Sequence, residues 1–139
     1  MNADRSWRPI EASPELAPQA GAFSMGTHAG GLIFVSGQVP RDPETGQWEK
    51  DAPFDAQAAR VFGNLELTLQ TAGARLDDVA SLTIYLGDIN DWGRINGIVQ
   101  DLFTPPFPAR AVVGAQLEGF LIEVSAIAIS PVAKPEGSS

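Results

Sequence analysis

An arginine and a glutamate in the C-terminal third of the chain are candidates for a binding or catalytic site, because of their residue types and their sequence neighbours. Arg110 follows the run Phe107-Pro108-Ala109 and opens a predicted strand, and Glu123 lies inside an apolar predicted strand. A guanidinium is always charged and presents a planar fork of donors that matches a carboxylate. A glutamate held among apolar neighbours is desolvated, which raises its pKa toward a range useful for proton transfer. The pair predicts a site for a small carboxylic acid, the structural alternative being ordinary ion pairs.

The rest of the chain offers few competing reactive groups. It contains no cysteine, which removes disulfides, thiolate metal sites and cysteine nucleophiles. The only histidine is His28, so a histidine metal site or a Ser-His-Asp triad would depend on it alone. Because it stands beside Gly30 and Gly31, we predict a solvated loop residue rather than a base, and no metal site.

Charge and hydropathy narrow the class of protein. The formal net charge is −8 and the nine basic residues are spread along the 139-residue chain without a cluster. A nucleic-acid partner is therefore not expected, since phosphate neutralisation supplies most of that affinity. The first residues do not resemble a signal peptide, and no apolar run approaches the roughly 20 residues that span a bilayer. The sequence predicts a soluble cytoplasmic protein without a membrane partner.

Hydrophobic periodicity predicts the elements that must position the charged pair. Strands are expected at 22–27, 32–37, 79–86, 110–116 and 120–129, and helices at 54–72 and 91–103. Gly73 is placed to end the first helix in a left-handed conformation, and Asp91 to cap the second. The order β-β-α-β-α-β-β predicts an α+β domain with two helices on one face of a mixed sheet.

The predicted domain covers residues 21–130, after an extended lead-in at 1–20 and before a flexible tail at 131–139. Its last strand is apolar on both faces, although two helices can cover only one face of the sheet. A second copy of the chain is the economical cover for the other face, so we expect a homo-oligomer.

Four motifs occur in the same order as in a known family. They are the segment 29–40, which runs from Ala29-Gly30-Gly31 to Gln38-Val39-Pro40, and the segments 42–46, 107–110 and 123–128. Together they resemble the RidA family, also called YjgF or L-PSP proteins, collinearly from about residue 18 to 130. The resemblance implies a chorismate-mutase-like fold and a homotrimer with active clefts between subunits. It also implies a cofactor-independent deaminase that hydrolyses reactive enamines and imines, such as 2-aminoacrylate, to 2-keto acids and ammonia.

The resemblance assigns roles to residues by position. Arg110 is similar to the arginine that holds the substrate carboxylate, and Glu123 to the glutamate that orients or activates the attacking water. Ser36 matches a cleft serine and Asn96 an asparagine of the second helix, both expected to contact substrate. Ser36 has no evident base partner, so it is not expected to be a nucleophile.

Three positions depart from the family pattern and make the predicted pocket less polar. Phe23 stands where the family commonly has tyrosine, Ala111 where it has serine, and Val112 where it often has cysteine. Phe23 and Val112 are therefore expected to line the substrate site as apolar walls. The change favours a bulkier or more apolar imino acid as substrate.

Other functions remain open from the sequence. One is a pathway-specific deaminase that resembles 2-aminomuconate deaminases. Another is a regulatory trimer that binds a keto acid through Arg110 without turnover, although the glutamate at 123 favours catalysis. A ribonuclease activity attributed to some relatives is disfavoured by the net charge of −8.

Overall fold

Two helices lie against one face of a six-stranded sheet in the computed structural model, which describes residues 5–131. The strands are β1 (Trp7–Pro9), β2 (Gly26–Ala29), β3 (Leu32–Gln38), β4 (Val79–Leu86), β5 (Ala109–Gly114) and β6 (Ile122–Ile129). The helices are α1 (Phe54–Thr71) and α2 (Ile95–Leu102). The sheet order is β1-β2-β3-β6-β4-β5, with β4 and β5 parallel and the other pairs antiparallel. The predicted α+β fold with a mixed sheet is confirmed.

The core forms between the two helices and the alternate residues of each strand that face them. In β6 the buried residues are Ile122, Val124, Ala126 and Ala128, with the intervening residues half-buried on the opposite face. They pack in one cluster with both helices, including Leu65 of α1 and Ile95 of α2. The opposite face has no helix among the described residues, and Phe34 on it is 40% exposed. Within residues 5–131, no helix is long and apolar enough to cross a membrane.

The first helix ends as predicted, whereas the second begins later. Gly73 follows α1 with a φ of 83°, the left-handed conformation that glycine adopts without strain. The segment Ile89–Arg94 forms a 3₁₀ helix, and α2 starts only at Ile95. The predicted cap at Asp91 is therefore wrong. Asp88 caps this segment, because its carboxylate accepts a hydrogen bond from the Asn90 N–H at 2.9 Å.

The N-terminal region differs most from the prediction. The strand expected at 22–27 begins only at Gly26, since the residues before it form bends. The segment Trp7–Pro9, predicted as part of a loose lead-in, forms β1 and pairs with β2. Three residues are too few to show an alternating pattern, and Pro9 is tolerated because β1 is an edge strand. His28 lies in β2 rather than in a loop.

The connection between the last two strands also differs from the prediction, because β5 ends two residues earlier and β6 begins two residues later than expected. β5 spans Ala109–Gly114 and β6 starts at Ile122, so the connection between them is longer than predicted. Gly119 in this connection has a φ of 84°, which marks a turn. Of the tail predicted at 131–139, only residue 131 is described, so that prediction lies outside the described residues.

Candidate active site

Glu123 lies on the sheet face that the helices leave open. Its neighbour across the β4–β6 pair is Tyr85, whereas the flanking Ile122 and Val124 point into the core. Desolvation by the surrounding sheet raises the pKa of the Glu123 carboxyl above its ordinary value, as the sequence analysis predicted. A carboxyl with a raised pKa exchanges protons more readily near neutral pH.

A glycine in β3 makes room for the Glu123 side chain. The β3–β6 register shifts between Val35 and Gln38, and Gly37 lies inside this irregularity. A Cβ atom at residue 37 would collide with the Glu123 carboxylate, so only glycine lets the carboxylate lie there. The bulge and the glycine together fix where the acid group lies.

The Glu123 carboxylate borders a cavity of about 280 Å³. Phe23 forms part of its wall, and the ring is 52% exposed. Further apolar wall comes from Leu16, Met25 and Trp48, and Arg41 also lines the cavity. The cavity thus combines a mainly apolar wall with a guanidinium and, at its edge, a carboxyl of raised pKa.

Ser36 lies next to this cavity but its hydroxyl is engaged elsewhere. The Ser36 Oγ donates a hydrogen bond to the Ser24 carbonyl oxygen at 2.6 Å. This contact ties β3 to the bend before β2, near Phe23. Ser36 does not line the cavity, so in one chain its role is to hold the wall in place.

Arg110 lies in the edge strand β5 and is held by the second helix. Its Nη2 donates a hydrogen bond to the Asn96 Oδ1 at 2.8 Å. Both side chains are exposed, and within residues 5–131 the guanidinium has no other hydrogen-bond partner. The remaining donors of the fork can therefore bind a carboxylate. The predicted pair of Arg110 and Asn96 is brought together.

Val112 lies on the same face of β5 as Arg110, two residues along the strand. It is paired with Ile84 and packs, half-buried, against the core. Ala111 points to the opposite face, where its pairing partner is Thr83. The apolar wall predicted at residue 112 thus stands beside the arginine.

The two groups of predicted residues lie on opposite faces of the sheet. Arg110 is paired with Leu82, whose side chain is in the core, whereas Glu123 is paired with Tyr85 on the open face. Strand β4 separates β5 from β6, which places them about 10 Å apart across the sheet. A small imino acid cannot contact Arg110 and Glu123 of the same chain at once.

Two polar residues on the buried side of α1 support the site and are missing from the sequence analysis. Asn64 donates to the main-chain oxygens of Val39 and Arg41, at 3.0 and 2.8 Å, and so fixes the segment that follows β3. Gln57 is fully buried, and its Oε1 accepts from the Leu121 N–H at 2.8 Å, two residues before Glu123. The sequence does contain a signal for their burial. Positions 57 and 64 share the helical spacing of positions 61 and 68, which belong to the buried stripe of α1.

No metal centre accompanies these groups in the part of the chain that the structure describes. Among residues 5–131, no three His, Asp or Glu side chains cluster in a way that could hold a metal ion.

Known proteins resemble this chain in sequence along most of its length. A family model described as Endoribonuclease L-PSP matches residues 14–130. A RutC family protein of Pyrococcus abyssi is 40% identical over 117 residues, covering 82% of this chain and 91% of its own. The 2-iminobutanoate/2-iminopropanoate deaminase of Escherichia coli K12 is 36% identical over 121 residues, covering 83% of this chain and 93% of its own.

A solved structure supports the same relationship. RidA from an Antarctic Psychrobacter species superposes with a TM-score of 0.79 at 29% identity, over 88% of this chain and 99% of that one. The family model spans well over half of the sequence, and the relatives match nearly all of their own length. This chain therefore belongs to the RidA family, also known as the YjgF or L-PSP family.

Proposed function

We propose that the protein hydrolyses reactive 2-imino and 2-enamino acids to 2-keto acids and ammonia. The observation that carries the proposal is that the chain presents two unlike groups, one on each face of the sheet. One is Arg110, an exposed arginine oriented by Asn96, and the other is Glu123, a carboxyl with a raised pKa at the edge of an apolar cavity. Relatives that are 35% and 36% identical to this chain bear the name of an imine deaminase, which supports the same reaction.

Arg110 binds the substrate carboxylate through its free donors, and Asn96 holds the plane of the guanidinium. The positive charge also withdraws electron density from the neighbouring C=N carbon. Glu123 accepts a proton from a water molecule as the water oxygen bonds to that carbon. The proton then passes to nitrogen and gives a carbinolamine. Transfer of the carbinolamine hydroxyl proton to nitrogen forms the C=O bond as the C–N bond breaks, which releases the 2-keto acid and ammonia. An enamine substrate enters this sequence after its terminal carbon gains a proton and its nitrogen loses one, which gives the imine. One water is consumed, and neither an oxidant nor a cofactor is required.

The active assembly is proposed to be a homotrimer, with each cleft formed between two copies of the chain. Each chain presents Arg110 on one sheet face and Glu123 on the other, so a complete site needs the two groups from different chains. The open face carries apolar residues such as Phe34 and Ile127, which contact with another copy would bury.

The proposal is tested by a coupled assay in which a pyridoxal-phosphate dehydratase generates the enamine. Semicarbazide traps the enamine, and this protein competes with the trap by hydrolysing it. Wild-type protein is expected to reduce trapped product, and Arg110→Ala to lose the effect by at least about 100-fold, since a charge-assisted carboxylate contact is removed.

Arg75→Ala is the matched control, because Arg75 is exposed and lies away from both groups, before the 3₁₀ turn at Leu76–Asp78. It is expected to retain wild-type activity. Absence of competition by the wild-type protein, together with saturable binding of a 2-keto acid that Arg110→Ala abolishes, would replace the proposal with a non-catalytic binding trimer.

A pathway-specific deaminase, acting on a larger imino acid as 2-aminomuconate deaminases do, is the second candidate. It is favoured by the apolar wall that Phe23 and Trp48 provide beside Glu123 and by Val112 beside Arg110. Turnover of enamines made from serine and threonine is compared with those made from leucine and phenylalanine. A clear preference for the smallest would exclude this candidate while leaving the reaction class intact.

A further inference from the structure

A second cavity lies at the other end of the sheet, between β1 and the turn that joins β2 to β3. Its volume is about 200 Å³. Its lining includes Arg5, Arg8, His28, the Gly30–Gly31 turn and Ser130. None of these residues belongs to the proposed deaminase site, so what this cavity binds is independent of that reaction.

Two buried polar atoms without a partner lie among the lining residues. Across residues 5–131, only the Ser130 Oγ and the His28 Nδ1 are buried side-chain nitrogen or oxygen atoms that lack a hydrogen bond. Both residues line this one cavity, and Ser130 is only 2% exposed. Buried polar atoms are normally hydrogen-bonded, so two such atoms on residues of one cavity favour a polar ligand there.

Two arginines give the cavity a positive potential. Arg8 is the direct neighbour of His28 across the β1–β2 pair, and Arg5 lies over the Trp7 ring with its Cζ 5.1 Å from the ring centre. Within the described part of the chain neither guanidinium has a hydrogen bond or an ion pair to a protein group. Among residues 5–131 no carboxylate lines the cavity, although the protein as a whole carries a net charge of −8.

The neutral groups complete a set of donors around the two charges. Burial, and then the charge of Arg8, lower the pKa of His28, so its ring is uncharged at pH 7 and Nδ1 can form one neutral hydrogen bond. The Ser130 N–H is already bonded to the Gly31 carbonyl oxygen at 2.9 Å, which fixes the serine and leaves its hydroxyl available.

We propose that this cavity is a binding site for a phosphate group, with Arg5 and Arg8 neutralising its charge and Ser130 and His28 bonding its oxygens. Contacts from separate elements suit a tetrahedral oxyanion better than a planar carboxylate, which one guanidinium satisfies alone. The volume is below the range of about 300 Å³ and upward that encloses drug-sized ligands. It fits inorganic phosphate or a small phosphate monoester.

The test is a titration of the full-length protein with inorganic phosphate at constant ionic strength, followed by amide ¹H–¹⁵N shifts. Saturable shifts at Gly30, Gly31 and Ser130, with a Kd of about 1 mM or tighter, are expected. Parallel titrations use glycerol phosphate and acetate. Tighter binding of the monoester assigns a phosphorylated metabolite, and tighter binding of inorganic phosphate assigns the free ion. Equal saturable shifts with acetate would overturn the phosphate class.

Variants locate the site and keep it distinct from the proposed active site. Arg8→Ala is expected to weaken phosphate binding about 10- to 100-fold. Arg75→Ala, which removes the same charge elsewhere, and Arg110→Ala should bind phosphate as wild type does. Shifts that fail to saturate, that map around Arg110, or that persist unchanged in Arg8→Ala would each overturn the proposal.

Thermal unfolding supplies a second readout that does not depend on the arginines. Without phosphate, Ser130→Ala should match or exceed the wild-type Tm, because an unpaired buried hydroxyl is removed. With saturating phosphate, the wild type should gain more in Tm than the variant. Equal phosphate-induced gains in both proteins would mean that the Ser130 hydroxyl only contacts water, and the proposal would fail.

Discussion

Asn96 accepts a hydrogen bond from Arg110 at 2.8 Å, which ties the second helix to the edge strand of the sheet. The Arg110 guanidinium has no other hydrogen-bond partner within residues 5–131, so this contact alone orients its plane. The connection between β4 and β5 passes through α2, and the helix therefore both completes the parallel crossover and aims the arginine.

Removing the Asn96 amide should loosen the orientation of the Arg110 guanidinium while keeping the positive charge that binds the substrate carboxylate. Asn96→Ala is expected to raise KM about 10-fold with a smaller change in kcat, because one hydrogen bond to a charged group is lost. The competition assay with a trapped enamine measures both parameters. Asn90→Ala, an exposed change in the preceding 3₁₀ helix, should leave both unchanged. Equal loss in the two variants would show that Asn96 acts only through the helix.

Glu123 should show opposite effects on activity and on stability. Glu123→Gln is expected to lower kcat by about 10²- to 10⁴-fold, the usual contribution of a general acid or base. Burial raises the folded-state pKa of Glu123 above the ordinary value of a glutamate, so ionising the carboxyl costs stability. That cost is absent below the unfolded pKa and grows as the pH rises through the folded pKa.

The stability difference between Glu123→Gln and wild type should therefore depend on pH. The variant is expected to have the higher Tm at about pH 8 and the same Tm at about pH 4. Thermal unfolding across this range measures the difference. A wild type that is more stable than the variant at high pH would mean that the ionised carboxylate has a favourable partner in the assembly.

Gly37→Ala should displace the Glu123 carboxylate without changing any charge. A methyl group at residue 37 collides with the end of that side chain rather than with backbone, so the chain should still fold. Activity is expected to fall at least about 10-fold, because a misplaced catalytic group loses rate steeply. Gly63→Ala is the control, since a Cβ there meets nothing within 4 Å. It should keep full activity and gain about 0.5–1 kcal/mol of stability.

Gln57→Leu should destabilise the fold although it keeps the size of a buried side chain. Gln57 donates to the carbonyl oxygens of Lys50 and Ala52 and accepts from the Leu121 N–H, so three main-chain groups would lose their partner. The expected loss is about 2–4 kcal/mol of unfolding free energy, measured by urea denaturation at fixed protein concentration. Gln70→Leu, exposed on the same helix, should change it by less than about 0.5 kcal/mol.

The sheet and helices could be predicted from sequence because their patterns are long. In α1 and β4 the apolar period extends over enough residues to identify both the element and its buried face. β1 could not be predicted, because a three-residue edge strand carries no period. Asp88 and Asp91 are equally good caps by residue type. Asp88 is the cap because the 3₁₀ helix begins directly after it and already contains Asp91.

The sequence names candidate site residues but does not predict their arrangement. Two of the motifs that resemble the family contain Arg110 and Glu123, yet these side chains lie on opposite faces of the sheet, and Asn96 of the second helix contacts only Arg110 of the two. Strand register decides to which face of the sheet a side chain points. Register in turn depends on bulges such as the one between Val35 and Gln38, which the sequence does not reveal. The requirement for glycine at residue 37 has the same origin. It appears only when β6 lies beside β3, because the Glu123 carboxylate then occupies the space that a Cβ atom of residue 37 would need.

The placement of Arg110 and Glu123 on opposite faces has a genetic consequence: two inactive proteins should restore each other. In a trimer formed from Arg110→Ala and Glu123→Gln chains, one of the three clefts receives an intact arginine from one chain and an intact glutamate from the other. Every mixed trimer contains one such cleft, so doubly purified mixed trimers should recover about a third of wild-type activity. Coexpression of the two variants with separate tags, followed by double purification and assay, measures this recovery. If the mixed trimers stayed inactive, both groups would have to act from the same chain.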